Sequence, residues 1–349
     1  MAIDLSRTCA VPARLMAILV LGVCLAAPVH AAKDEQLTAR ERAVAIEDIA
    51  ALFEKIYVVP ETGDAVAQDL RMRLRRGDYD QLADSRALAD VLSTHIGAIC
   101  HDTHTKVVYF EDDQMAGKTA APVDMQRRRA ARRAQGEAAN FDFAAPRRLA
   151  GNIALLKFDS FYEADLVTPL IEKYMSEAAS ADALIVDLRE NGGGAPQIIA
   201  LIASYLFDDQ PVHLYDQTDR REGTSVEAWT NPNVAGRRLG SRKPVFVLTS
   251  AQTYSAAENF AYNLQKIGRV HVVGERTRGG ARGAFGRPVT SHLVPMIATR
   301  RTVNPVTGSD WDRVGVQPDT AVPAADSLET AVKLANAAIA RSGTRRSEP

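Results

Sequence analysis

The sequence predicts an α/β protein with a helical segment in front of it. Two patterns carry this. From Gly151 onward, continuous apolar runs alternate with stretches of helical periodicity, as in a sheet built through crossover connections. From Glu35 to about Val108 the periodicity is helical, with apolar residues at three-to-four spacing between charges. A length of 349 residues and an apolar content of 46% allow one large or two modest domains with a packed core. The 42 basic and 43 acidic residues nearly cancel, so composition gives no reason to expect a nucleic-acid partner.

In chain order, residues 1–31 read as a cleavable secretory signal. Arg7 and Arg14 flank its start, LMAILVLGVCLAAP is continuously apolar, and VHA ends in the small Ala31. The run is too short for a permanent membrane helix, so a secreted or periplasmic protein without a stable membrane span is expected. Cys24 fits a lipid-attachment site poorly, because Val23 precedes it and further apolar residues follow. Once the signal is removed only Cys100 remains, so stability rests on a core and not on an internal disulfide.

Residues 32–112 read as a helical N-terminal domain. LTARERAVAIEDIAALFEKIYV and ALADVLSTHIGAI both carry an apolar stripe, and Pro60 and the GDYD turn separate the helices. Residues 113–148 contain QRRRAARRAQGEAANFDFAAPRR, Arg- and Ala-rich with few large apolar side chains. That composition suits a solvated linker or exposed helix, with a basic docking patch as the alternative. Residues 149–340 form the core domain. NIALLKFDSF, ALIVDLREN, PVFVLTSA and RVHVVGERT read as buried strands, and LVTPLIEKYMSEAA, APQIIALIASYLF and SAAENFAYNLQKI as the helices between them.

Two strand ends could carry chemistry. After ALIVD comes LRENGGGAP, where Gly192, Gly193 and Gly194 let backbone N–H groups converge before a helix N-terminus. It lacks the lysine and hydroxyl of a phosphate loop and the spacing of a dinucleotide fingerprint, so no nucleotide cofactor is expected. After PVFVLTSA comes QTYSAAENF, which places Ser255 where a strand turns into a helix. A nucleophile there is exposed at the sheet edge, and the Ala256 amide can point at an oxyanion. Helix capping is the commoner use of such a serine.

The ordered set DLRENGGG, TYSAAENFAYNL, VVGERTRGGA and NPVTGSDWDRVGVQPD resembles the C-terminal processing, or tail-specific, serine peptidases. It is most similar to the branch that includes the repeats of interphotoreceptor retinoid-binding protein, to which EKIYVVPE and DTHTKVVY extend the likeness. The resemblance implies a crotonase-like ββα core behind an N-terminal helical domain, and no PDZ-sized segment stands between His104 and Gly151. It places Ser255 on the family's nucleophile. Many members pair that serine with a lysine where this chain has Gly280, which removes the dyad. Tricorn-like members use a histidine supported by a carboxylate, and the corresponding motifs hold His104 in DTHTK and Asp312 in WDRVGVQPD, where Glu is more usual.

The chemistry of this set is coherent. Imidazole, with an unperturbed pKa of ~6.5, can take the serine proton and return it to a leaving amine. A carboxylate on its other nitrogen would fix the tautomer. Gly193, flanked by Gly192 and Gly194, and the Ala256 amide would make the oxyanion hole, and Thr103 would assist as a hydroxyl partner. Glu258 and Glu275 are expected to tie the core together by ion pairs, and Asp187 and Arg189 to brace the glycine loop. His101 and Asp102 flank His104 without a second ligand set at zinc spacing, so no metal is expected. The expected partner is a protein or peptide substrate. A non-catalytic carrier of hydrophobic ligands, or a scaffold that binds peptides without cutting them, remains the alternative.

Overall fold

A computed structural model describes residues 36–111 and 122–346. The expected signal segment lies outside them, as does part of the Arg-rich stretch. Helix α1 (Ala39–Ile56) opens on a reciprocal cap: the Thr38 hydroxyl accepts from the Glu41 amide, and the Glu41 carboxylate accepts from the Thr38 amide at 2.9 Å. Helix α2 (Pro60–Arg76) begins on Pro60, whose fixed φ suits a first turn, and ends on Gly77 at φ 83°. Helix α3 (Ser85–Cys100) is capped by Asp84, which accepts from the Ala87 amide at 2.7 Å.

The helical pattern stops at Cys100, earlier than its periodicity suggests. His101 takes a left-handed conformation, and KVVY becomes strand β1 (Lys106–Tyr109) because its partner is a distant strand, β10 (Leu293–Val303). The Arg-rich stretch contains helix α4 (Pro122–Ala138). Its Arg132 lies over the Tyr162 ring at 4.8 Å and bonds both oxygens of Glu163 at 2.9 Å.

The remaining elements, in order, are β2 (Arg147–Leu149), β3 (Ile153–Lys157), α5 (Ala164–Ala178), β4 (Ala183–Asp187), α6 (Gln197–Ser204), β5 (His213–Asp219) and β6 (Thr224–Trp229). Then follow β7 (Val245–Thr249), α7 (Ala256–Lys266), β8 (His271–Gly274), β9 (Arg282–Gly286), β10, β11 (Thr320–Ala321) and α8 (Ser327–Arg346). They build two sheets. A six-stranded sheet has the order β11-β8-β7-β4-β3-β2, parallel except where β2 meets β3. The alternation of strands and helices predicts four of these strands, β3, β4, β7 and β8, and the helices between them, but not β2 or β11 at the edges. The second sheet, β1-β10-β5-β6 with β9 on the other side of β10, is antiparallel and was not expected. Strand β1 reads as the end of the helical segment, while β6 is largely exposed and β5 mostly half-buried, so neither shows the apolar run that marks a buried strand.

Every residue of β4 and β7 is buried, as a parallel strand covered on both faces must be. Leu184, Val186 and Val247 face the core shared with Ile171, Ile198 and Phe260 of α5, α6 and α7. Ile185, Phe246 and Leu248 face α8 through Ala331 and Ala335. Helices α1 to α3 pack on the second sheet, where Ile49, Phe53 and Leu92 share a cluster with Val107, Leu293 and Ile297. Because β4 and β7 are parallel neighbours, the loops leaving their C-terminal ends emerge side by side. Those two loops are the glycine loop and the turn that carries Ser255.

Phe260 has no exposed surface and sits one helical turn beyond Ser255. Phe260→Ala is expected to cost about 3–5 kcal/mol of stability, read as a lower urea midpoint. An unchanged midpoint would mean that α7 is not clamped to the sheet.

Candidate active site

Ser255 occupies a positive-φ conformation, φ 56° and ψ −117°, that a residue with a side chain adopts at a cost of about 1–3 kcal/mol. The turn is over-determined from both sides. Tyr254 donates its amide to the Asn191 carbonyl at 3.1 Å, and Ser255 donates its own to Glu258 Oε2 at 2.9 Å. The Ala256 amide, the first of α7, makes no hydrogen bond among the described residues. It is thus an open donor beside the serine hydroxyl.

The glycine loop presses on this turn. A side chain on Gly193, whose φ is 96°, would sit 2.8 Å from Ser255 Cβ and 2.9 Å from the Ala256 nitrogen, so only glycine allows the approach. Its amide, however, donates to Asn191 Oδ1 at 2.8 Å. Gly193 was expected to supply an oxyanion donor, and the structure commits that donor elsewhere. Gly192 likewise donates, to the Asp159 carbonyl at 3.2 Å. The Gly194 amide has no partner among the described residues, and Gly194 lines the cleft in front of Ser255. Asn191, fully buried, also donates Nδ2 to the Phe158 carbonyl at 2.8 Å. It fixes the loop from three directions, a role that a lone Asn before three glycines does not announce.

His104 arrives from the loop between α3 and β1. Buried Asp102 shapes that loop: Oδ1 accepts from the His104 amide at 2.8 Å and Oδ2 from the Thr105 hydroxyl at 2.9 Å. Residues 151 positions apart in sequence therefore meet, with His104 Nε2 at 3.1 Å from Ser255 Oγ. At the other nitrogen, Nδ1, stands the Tyr254 hydroxyl at 3.0 Å, and the two rings are stacked with centroids 4.6 Å apart. Thr103 reaches this hydroxyl at 2.7 Å and so touches the imidazole only through Tyr254. Burial pushes the Tyr254 phenol up to about 12, so it stays protonated at neutral pH.

Asp312 does not occupy the place expected for it. Its carboxylate faces Arg282 at 3.3 Å and Arg313 at 3.6 Å, and Tyr254 takes the position on Nδ1. The reason is local: the buried Trp311 donates its indole N–H to the Gly280 carbonyl at 3.1 Å, which anchors the loop beside Arg282 of β9. Asp312 still acts on His104 at a distance. Burial pushes the imidazole pKa down to about 4, the Asp312 charge raises it, and Arg278, Arg300 and Lys106 lower it.

Gly280 stands where lysine was expected in relatives. A side chain there would begin 2.2 Å from Tyr254 Cε2 and 2.7 Å from His104 Cε1. The stacked pair fills the space that a larger residue would need. Glu258 holds the segment in place. This buried carboxylate accepts from the Thr277 hydroxyl at 2.5 Å and from the Gly279 and Gly280 amides at 2.6 and 2.8 Å, besides Ser255. Burial raises its pKa, and these four donors oppose the rise. Glu275 likewise accepts backbone amides, from Ala324 at 3.0 Å and Ala251 at 3.2 Å. Neither glutamate makes the ion pair expected from the sequence, because the neighbouring amides come from turns and have no backbone partner. Arg189 does brace the end of β4, bonding Asp187 at 2.7 Å and the Ala324 carbonyl at 2.9 Å.

Ser255, His104 and Gly194 open onto a cleft of about 370 Å³, lined on its far side by Arg282, Gly283 and Ala284 of β9 and by Met296 and Arg300 of β10.

Residues 152–322 match the model of peptidase family S41, and residues 35–136 match that of the N-terminal domain of peptidase S41 in eukaryotic IRBP. The chain is 33% identical over 131 residues to the tail-specific protease of Haemophilus influenzae, covering 37% of this chain and 17% of that one. It is 30% identical over 175 residues to the carboxyl-terminal-processing protease of a Picosynechococcus species, covering 50% and 39%. The chain thus spans well under half the length of these curated relatives. In three dimensions it is similar to a solved structure from Parabacteroides merdae, with a TM-score of 0.57, 20% identity, and coverage of 86% of this chain and 97% of that one.

An NMR titration is expected to show the His104 imidazole neutral down to about pH 4. Asp312→Asn removes the charge that favours the imidazolium, so the midpoint should fall further. A midpoint near the unperturbed ~6.5 would show a ring exposed to solvent. Gly280→Ala should break the 3.1 Å contact between His104 and Ser255 by forcing the stacked rings away. A crystal structure of that variant with the contact intact would refute the steric account.

Proposed function

The chain belongs to peptidase family S41, and from that premise we propose that it is a serine-type endopeptidase with Ser255 as nucleophile and His104 as base. The observation that carries this reading is the 3.1 Å approach of His104 Nε2 to Ser255 Oγ at a strained turn, next to an unused amide.

For His104 to act as base, Nε2 must be free to accept, so Nδ1 carries the proton. A consistent chain then runs from the Ser255 hydroxyl to Nε2, from Nδ1–H to the Tyr254 oxygen, and from the Tyr254 hydroxyl to Thr103. Tyr254 orients the ring in the place where many hydrolases put a carboxylate. It carries no charge, so stabilisation of the imidazolium falls to Asp312 across the site. The lowered pKa keeps His104 in its basic form throughout the neutral range.

Attack by Ser255 Oγ on a peptide carbonyl forms the carbon–oxygen bond as the serine proton passes to Nε2. The oxyanion is received by the Ala256 amide and, in place of Gly193, the Gly194 amide, each such donor being worth about 3 kcal/mol. Collapse of the tetrahedral intermediate breaks the carbon–nitrogen bond, and the imidazolium protonates the leaving amine. Water, activated by the same imidazole, then releases the acid from the acyl-enzyme.

Strand β9 pairs only with β10 among the described residues, and its other edge borders the cleft, which supports entry of an extended, unstructured substrate segment alongside it. The parallel sheet flanked by α5 to α8 supports the crotonase-like reading of the core. The apolar, Arg-flanked stretch in residues 1–31 supports secretion or a periplasmic location. No helix among the described residues is long and apolar enough to cross a membrane. One observation favours peptide binding without cleavage, namely the capture of Asp312 by Arg282 and Arg313.

Labelling with a fluorophosphonate probe separates the two readings. The wild-type chain should label, and both Ser255→Ala and His104→Ala should abolish labelling while keeping the wild-type melting transition. A folded wild-type chain that does not label would overturn the peptidase reading.

A further inference from the structure

The cleft holds a cation that the chemistry above does not use. Three arginines emerge from the β9–β10 pair. Arg301 bonds Asp310 at 3.1 Å, and Arg282 faces Asp310 at 3.4 Å and Asp312 at 3.3 Å. Arg300 has no ion pair and no side-chain hydrogen bond among the described residues, although it lines the cleft. Its cross-strand neighbour on β5 is Asp219, the nearest carboxylate by register, yet Asp219 is engaged by the Arg221 side chain at 3.8 Å and the Arg221 amide at 2.9 Å.

The Arg300 side chain turns the other way, toward β9. There its register partner is Gly283, and a side chain on that glycine would sit 2.6 Å from Arg300 Nε and 3.2 Å from Cζ. The missing side chain is what lets the guanidinium lie across the strand bordering the cleft. Arg282, also lining the cleft, is already held there by Asp310 and Asp312. Arg300 therefore has unused donors in the cleft that Ser255 and His104 also line. A partly desolvated guanidinium with free donors is matched by a carboxylate, which can take two of its N–H groups at once. The neighbouring Gln217, Thr302 and Met296 bring no competing acid into the cleft.

We infer that Arg300 forms a carboxylate-binding subsite of the cleft, so that the preferred peptides present an acidic side chain or a free C-terminal carboxylate near the reacting carbonyl. This rests on the peptide-cleaving or peptide-binding reading of the site. Arg300 is one of the three cations that, beside burial, weigh against protonation of His104, so a carboxylate bound to it also raises the basicity of the ring.

Binding to the full-length Ser255→Ala variant tests the subsite without turnover. Three fluorescent peptides of one length are compared by anisotropy: one with an internal Asp and an amidated C-terminus, one with a free C-terminal carboxylate and no acidic side chain, and one neutral and amidated. At least one carboxylate peptide should bind about tenfold or more tightly than the neutral one, as expected for a charge-assisted hydrogen bond. Whichever does identifies the source of the carboxylate. Adding Arg300→Gln should erase the preference, Arg300→Lys should keep part of it, and rising salt should weaken it in the parent variant. If Arg300→Gln loses its melting transition, the Lys variant and the salt series decide the matter. Equal affinity for all three peptides, no binding of any, or a preference that survives in a folded Arg300→Gln variant overturns the subsite. Fluorophosphonate labelling of the native chain keeps the two ideas apart. Labelling without a carboxylate preference removes the subsite alone, whereas an Arg300-dependent preference without labelling removes the peptidase reading and leaves the subsite.

Discussion

The geometry of the site hangs on one buried carboxylate. Glu258, in the first turn of α7, gathers the amide of Ser255, the hydroxyl of Thr277 and the amides of Gly279 and Gly280. These donors have no other acceptor among the described residues, and leaving them unbonded in a dry interior would cost about 1–3 kcal/mol each. A single side chain thus fixes the strained serine turn against the segment that carries Gly280. An ion pair with one surface arginine could not do this, because it would hold one point and not two turns.

That fixation matters because the catalytic contact proposed here crosses between distant parts of the chain. His104 is delivered by a loop behind the helical segment, shaped by Asp102, and it fits only because position 280 has no side chain. The phenol of Tyr254 shares that space and lies against the imidazole. A lysine at 280 and a histidine at this place would claim the same volume. The absence of a lysine in GERTRGGA and the presence of DTHTK are therefore one steric fact seen twice.

Electrostatics in the cleft pull in opposing directions. Burial and three nearby cations hold His104 in its neutral form, while Asp312 opposes them from a position already shared with Arg282 and Arg313. Because the phenol on Nδ1 orients the ring without charging it, the cost of forming an imidazolium depends on the charges around the cleft. Arg300, without an acid partner among the described residues, is one of the charges that weigh against the imidazolium.

The sequence by itself determined the parallel core, the turn that carries Ser255 and the helical segment. These depend on local patterns: apolar runs bounded by turns, caps such as Thr38 and Asp84, Pro60 at a helix start, and small residues after a strand. Motif order likewise singled out Ser255 and His104. What only the tertiary structure decided lies in contacts between residues far apart in the chain. The antiparallel sheet was hidden because β5 and β6 are partly exposed and β1 finds its partner nearly two hundred residues away. Tyr254 in place of Asp312 on Nδ1, Gly194 in place of Gly193 as the open amide, and Glu258 as an acceptor of turns could not be read from residue type. Each depends on which donor remains unbonded once the chain has folded, and a one-dimensional pattern holds no record of that.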